Sequence, residues 1–268
     1  MKRYISLHWL GLLLTLACLL GACSSNKEYD QTAGWSAQRI YAEAKDEMNG
    51  GSYEKAIKLL ETLEAKYPFG RYAQQAQMDV AYAHWKNNDH ASAVAACDRF
   101  IKLYPNHANL DYMFYLKGLV NFNEDLGIFG KVTRQDPTER DNKAARESFD
   151  TFKELLVRFP DSKYAEDSRL RLRYLVGALA RYEVHVARYY MKRGAYLAAA
   201  NRAQGVVTTY PNTQAQEEAL YILVNAYNAM GLKELSADAQ KVLDLNYPGS
   251  ALVRNKGPVN NDPWWKIW

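Results

Sequence analysis

Five aromatic–proline pairs divide the chain and constrain its fold more than any other feature. They are Tyr67-Pro68, Tyr104-Pro105, Phe159-Pro160, Tyr210-Pro211 and Tyr247-Pro248. Proline lacks a backbone N–H and clashes with the preceding turn, so each pair marks the end of a helix. The prolines lie 37, 55, 51 and 37 residues apart. A near-regular period of this length is the mark of a repeat architecture.

Three columns fix the register. Twelve residues before each proline stand Ala56, Ala93, Ser148, Ala199 and Ser236, all small. Five before stand Leu63, Phe100, Leu155, Val206 and Leu243, all apolar. Seventeen before stand Gly51, Asn88, Lys143, Gly194 and Gly231, four of which favour a turn. Gly or Asn can take the left-handed conformation that ends a first helix. The small residue then lets a second helix approach closely, and the apolar one lies on the same face two turns on. Each unit therefore reads as a helix–turn–helix and resembles the tetratricopeptide repeat. The expected fold is all-α: a right-handed superhelical array of five such repeats with one long central helix. First helices are expected at Ala37–Asn49, Ala73–Asn87, Leu110–Asn123 and Ala215–Met230. Their aromatics, such as Tyr82, Trp85, Tyr112 and Tyr115, fall at helical spacing and suit packing between repeats.

Two spacings exceed 37. The first excess falls at Glu124–Asp141, where Gly127, Gly130 and Pro137 predict a loop. The second falls where Ala165–Arg193 holds no breaker but Gly177, which predicts one long helix joining two halves. The expected divisions are a signal at 1–22, a tether at 23–34, repeats 1–3 at 35–163, repeats 4–5 at 164–250 and a tryptophan-rich tail at 251–268.

The amino terminus carries Lys2 and Arg3, an apolar run from Leu10 to Leu20, and then Gly21-Ala22-Cys23. This is the pattern of a secretory signal. A Cys after a Leu-small-small triplet resembles the bacterial lipobox, so Cys23 is the expected acylation site. Multiple acyl chains suffice for stable anchoring. Ser24, rather than Asp, favours the inner leaflet of the outer membrane. Cys18 leaves with the signal and lipid occupies Cys23, so Cys97 remains as a lone thiol without a disulfide partner. Without Lys2 and Arg3, 32 basic residues face 30 acidic ones, a net charge of +2. That balance argues against nucleic acid as a partner.

Catalytic signatures are missing. The sequence has no phosphate loop, dinucleotide fingerprint or nucleophile elbow. His84, His90, Cys97 and His107 cluster around the second repeat but lack a recognised metal spacing. His90 and Cys97 also occupy slots that hold Tyr53 and Leu60 in the first repeat, so both have a structural role available. No catalytic residue, metal or cofactor is expected. The tail "GPVNNDPWWKIW" carries Trp264, Trp265 and Trp268. Exposed tryptophans need a surface to cover. Either the last repeat or a partner or membrane surface would serve.

Several strings are more specific than the repeat: "KYPFGRY" (66–72), "DRFIKLYP" (98–105), "LDYMFYLKGL" (110–119), "RDNKAARESF" (140–149) and "YYMKRGAYLAAANR" (189–202). Together with the lipobox they resemble the BamD (ComL) family over nearly the whole mature chain. The tail beyond Gly249 departs from the family pattern. The resemblance implies a non-catalytic scaffold and receptor of the outer-membrane β-barrel assembly machinery. It implies lipid anchoring at the periplasmic face, BamA as partner, and BamC and other assembly lipoproteins as neighbours. It further implies binding of the aromatic-ended C-terminal signals of unfolded outer-membrane proteins. Asn201-Arg202 matches a family position, which makes Arg202 a candidate for pairing with a BamA acid; a neighbour within its own array is the other possibility. Such a substrate signal needs an apolar pocket and a cation for its carboxylate, which Tyr67, Phe69, Arg71 and Tyr72 would offer. An alternative function is a periplasmic repeat scaffold for peptidoglycan or cell-division enzymes.

Overall fold

A computed structural model describes residues 31–125 and 142–254. Among them the chain is all-α, without strands. Five helix pairs follow one another: α1 Ala37–Asn49 and α2 Tyr53–Lys66, α3 Arg71–Lys86 and α4 His90–Leu103, α5 Leu110–Asp125 and α6 Lys143–Arg158, α7 Ala165–Lys192 and α8 Tyr196–Thr209, α9 Ala215–Ala229 and α10 Lys233–Asn246. A short α11, Ala251–Arg254, follows. Each helix packs mainly on its neighbours in the chain, as a repeat array requires. The expected signal, Cys23, all but the first two residues of the expected loop Glu124–Asp141, and residues 255–268 of the expected tail lie outside the described residues.

The three columns do their expected work. Tyr67, Tyr104, Phe159, Tyr210 and Tyr247 each donate their backbone N–H to the apolar residue four positions back, at 2.8–3.0 Å. Each then leaves the helix at ψ 60–68°, and proline follows. The acceptors Leu63, Phe100, Leu155, Val206 and Leu243 are fully buried. Gly51, Asn88, Gly194 and Gly231 all have positive φ, between 59° and 78°. The N–H of the residue after each closes back onto the carbonyl five positions earlier, at 2.8–3.0 Å: Ser52 to Glu47, Asp89 to His84, Ala195 to Tyr190 and Leu232 to Tyr227. That bond satisfies a carbonyl left open at a helix end.

The small-residue column shows why Ser replaces Ala twice. Ser148 Oγ donates to the Gly118 carbonyl at 2.9 Å, and Ser236 Oγ donates to the Val224 carbonyl at 3.0 Å. Once the longer spacing between the second and third prolines is allowed for, these are the same position of the first helix. In repeat 3 the approach also needs Gly118, because a Cβ there would fall 2.5–2.8 Å from three atoms of the Phe152 ring.

Helix limits shift slightly from expectation. α3 begins at Arg71, two residues before Ala73, because Gly70 serves as its cap. α5 runs two residues past Asn123, into the segment expected to be loop. α7 spans 28 residues, about 42 Å at the usual rise. The buried residues form two clusters that meet inside repeat 3: Leu155 joins the first, Phe152 the second, and Tyr115 packs against both. The start of the fold is pinned too. Lys66 Nζ donates to the Thr32 carbonyl at 2.9 Å and to its hydroxyl at 2.6 Å.

Gly118→Ala should therefore destabilise the chain by about 1–3 kcal/mol, the usual cost of an overpacked site. A lowered thermal midpoint with retained helical circular dichroism is the expected result.

Candidate functional site

The first linker, Tyr67–Gly70, is shorter than the next two and is built around Gly70, at φ 95° and ψ −179°. Only glycine occupies that region readily. A Cβ at Gly70 would meet nothing within 4 Å, so the requirement is conformational rather than steric. This turn sets the direction of Phe69, which is 90% exposed. Phe69 therefore does not pack the turn; it stands in solvent.

The other three predicted groove residues are held in place. The Tyr67 hydroxyl donates to the Trp35 carbonyl at 2.7 Å, which ties the end of α2 to the entrance of α1. Arg71 lies over the Tyr72 ring at 4.8 Å and donates to its hydroxyl at 3.1 Å. Tyr72 in turn packs on Tyr41 of α1, with ring centroids 5.6 Å apart. Arg71, Tyr72 and Tyr41 thus form one contact chain from α3 to α1. Below them the Tyr41 hydroxyl donates to buried Asp79 of α3 at 2.7 Å, and Lys45 of α1 pairs with the same carboxylate at 3.4 Å. Burial and the Asp79 carboxylate push the Tyr41 hydroxyl well above its ordinary pKa. It remains a neutral donor, and the pair locks the first repeat to the second.

Arg202 lies in a different half of the array. In the equivalent slot Ala96, Thr151 and Ala239 are buried. Arg202 instead extends from α8 to Glu183 of α7, with Nη1 3.0 Å from Oε2. The other Glu183 oxygen accepts from Arg146 Nη2 of α6. Glu183 is buried, while the two arginine side chains are 45% and 44% exposed. The hydrogen bond to Glu183 holds the Arg202 guanidinium above its ordinary pKa. One carboxylate therefore joins three helices. The neighbour within the array is present; part of the guanidinium still faces outward.

Asp79 and Glu183 were not singled out from sequence. Glu183 had a signal: it stands in the row Leu175, Leu179, Glu183, Ala187, where each i+4 neighbour is buried. Asp79 is likewise flanked by buried Met78 and Val80. A third joint was also missed. Asp167 of α7 accepts from Tyr115 of α5 at 2.8 Å and from Arg171 at 2.5 Å.

Three of the four metal candidates have contacts of their own. Cys97 is fully buried, and burial pushes its thiol up to about 12. His84 lies 3.3 Å from Asp89, and His107 Nδ1 accepts from the Asn109 N–H at 3.0 Å. Among the described residues no group of three His, Cys, Asp or Glu side chains is placed to hold a metal. An open cleft of about 530 Å³ lies between α7 and the α8–α9 turn, lined by Leu172, Arg173, Val176, Arg181 and Thr213 among others. It includes none of the four predicted groove residues.

The family model described as outer membrane lipoprotein (YfiO) matches residues 34–243. The chain belongs to the YfiO/BamD family of outer membrane lipoproteins. It is 46% identical over 261 residues to a protein of Neisseria meningitidis, covering 96% of this chain and 98% of that one. It is 45% identical over 268 residues to one from Neisseria gonorrhoeae, covering both chains fully. A Vibrio cholerae relative is 36% identical over 234 residues, 87% of this chain and 96% of its own. Each of these relatives is named outer membrane protein assembly factor BamD. The crystal structure of MamA aligns over 85% of this chain and 98% of its own, with a TM-score of 0.34 and 12% identity. That of the type IV pilus biogenesis factor PilW aligns over 82% and 97%, with a TM-score of 0.33 and 15% identity. Likeness at that level carries no argument.

The Glu183 joint makes a quantitative prediction. Arg146→Ala and Arg202→Ala should each cost about 0.5–1.5 kcal/mol, because the other arginine still pairs with the carboxylate. The double substitution should exceed the sum of the singles by about 1 kcal/mol or more, since it leaves a buried charge without a cation. Urea unfolding midpoints of the four chains close this cycle.

Proposed function

We propose that this chain is a lipid-anchored, non-catalytic scaffold and receptor in the assembly of outer-membrane β-barrel proteins. Cys23 carries the anchor and places the array at the periplasmic face of the outer membrane. Repeats 1–3 (35–163) receive unfolded outer-membrane proteins. Repeats 4–5 (164–250) bind BamA, with BamC and other assembly lipoproteins as neighbours. The relatives' shared name and the family description support the assembly role.

One observation carries the substrate side: Phe69, 90% exposed, presented on a glycine-only turn beside Arg71. An exposed aromatic next to a cation suits a peptide that ends in an aromatic residue and a carboxylate. The ring offers apolar contact, and the guanidinium offers paired donors to the carboxylate. Tyr67 and Tyr72 frame the two ends of this surface through their own contacts. Because Phe69 packs on little, replacing it should cost little stability. Phe69→Ala and Arg71→Ala should each lower photocrosslinking of a barrel-derived C-terminal peptide while the thermal midpoint stays within a degree or two of the parent. Crosslinking that is unchanged in both variants removes these residues from the substrate site.

On the partner side, Arg202 is committed to Glu183 by one nitrogen and is half-exposed. A guanidinium has five N–H donors, so further pairing with a BamA carboxylate needs no break in the internal one. Arg202→Lys keeps a charge for Glu183 but loses the planar fork. BamA co-purification should fall in Arg202→Lys with stability nearly unchanged. If co-purification follows stability alone across Arg202→Lys and Arg202→Ala, the residue is structural only. Recovery of peptidoglycan enzymes without a barrel partner would replace the assembly function with a cell-wall scaffold.

A further inference from the structure

The unequal helices of repeat 4 leave a ledge. α7 is about 42 Å long and α8 about 21 Å, so α8 runs back along only the second half of α7. The turn after α8 therefore meets α7 near its middle, and the cleft of about 530 Å³ opens there. Its floor is apolar. Leu172 and Val176 lie one turn apart on α7 and pack on the second buried cluster. Pro211 and Thr213 belong to the opposite wall.

Two features of this cleft are not used by the fold. The first is Gly177, the one glycine inside α7. Glycine within a helix weakens it relative to alanine. Packing does not require it here, because a Cβ would meet only Arg181 Nη1, at 3.5 Å, an ordinary contact. Its effect is to leave a gap in the floor. The second feature is charge. Of the arginines of α7, Arg169 pairs with Glu166 at 3.6 Å, Arg171 with Asp167 at 2.5 Å and Arg188 with Glu218 at 2.6 Å. Arg173 and Arg181 have no acid partner among the described residues. Both are exposed, both line the cleft, and no acid lines it with them. They stand four residues before and four after Gly177, so the three share one face of α7. Arg181 reaches back one turn towards Gly177, as helical side chains do.

The spacing of the two cations selects a ligand. Arg173 and Arg181 are about 12 Å apart along the axis of α7. In an extended peptide, residues i, i+2 and i+4 point the same way, and the outer two are about 13 Å apart. Carboxylates at i and i+4 then meet the two guanidinium groups, each of which can bind a carboxylate in a fork. The residue at i+2 faces Gly177, and an apolar side chain there enters the gap against Leu172 and Val176. We propose that this cleft binds an extended segment of a partner protein that carries an acid, an apolar residue and a second acid at alternate positions. Neither Phe69 nor Arg202 lines the cleft, so the site is additional to both surfaces described above.

Fluorescence anisotropy with the full chain in non-ionic detergent tests it. The probe is a fluorescein-labelled peptide, Gly-Ser-Glu-Ser-Leu-Ser-Glu-Ser-Gly. Its control has the same composition with the leucine moved outside the two glutamates. The probe should bind about tenfold more tightly than the control, through the buried leucine. Arg173→Ala and Arg181→Ala should each weaken the probe about tenfold, as loss of a charge-assisted hydrogen bond does. Gly177→Leu should abolish binding by filling the gap, while the thermal midpoint holds or rises, because leucine is the better helix former. Equal affinity for the control would make the cleft a plain anion site and overturn the proposal. Binding that survives Gly177→Leu or both arginine substitutions, or no binding of the probe at all, overturns it as well.

Discussion

A second helix that ends on an aromatic–proline pair has no choice of length, and the whole array depends on that fact. The aromatic N–H closes the last helical turn onto the residue five before proline, and the chain then leaves at ψ 60–68° five times over. Because the stop is fixed, the buried residue and the small residue upstream are fixed in space relative to it. Those two positions decide how near the partner helix can come. A helix pair of about 30 residues cannot bury its apolar faces alone, so the spacing of the stops becomes the spacing of the stack.

Where the period is broken, polar contacts take over part of the alignment. Residues 126–141 lie between α5 and α6 in the sequence, and α7 is twice the length of its partner α8. The joints at this point are Asp167 with Tyr115 and Arg171, and Glu183 with Arg146 and Arg202. Both acids sit on α7 and both reach back into repeat 3. Apolar packing is non-directional. A long helix could slide along its axis by a turn and still bury leucines. A buried carboxylate that must meet two cations cannot, since the alternative is an unpaired charge. The two buried clusters meet within repeat 3, and these contacts bridge the same region.

The architecture was legible because it rests on backbone chemistry that residue type controls directly. Proline, glycine and small residues act locally, and their columns predicted five helix pairs, four left-handed turns and the long α7 almost to the residue. What stayed illegible depends on dihedrals or on long-range partners. Whether Phe69 faces water turns on φ at Gly70, and a sequence shows that a glycine is present without showing which glycine-only region it takes. Arg202 left two readings open because its partner is 19 residues away on another helix. Glu183 could have been found as an acid inside an i+4 row of buried residues. Asp79 could have been found as an acid inside a fully buried stretch of α3. A periodicity of apolar residues does not by itself mark the acids that interrupt it. The cysteine and histidine cluster of repeat 2 shows the converse, since Cys97, His84 and His107 are close in sequence yet make separate contacts.

The same physics explains how such an array accommodates an exposed aromatic near one end and a buried acid at the junction of its halves. Each repeat is stabilised by its immediate neighbours, so a costly feature in one linker is not transmitted far. Phe69 stands on a four-residue linker whose flanks are secured separately, by Tyr67 on Trp35 and by Tyr72 on Tyr41. The exposed ring therefore neither supports the fold nor draws on it. Arg202 is the opposite case, with its charge shared between the internal joint and the surface. A partner that met its outer edge would also meet the joint holding α6, α7 and α8 together. Binding there would bear on the junction between the two halves, whereas binding at Phe69 would bear only on the first linker.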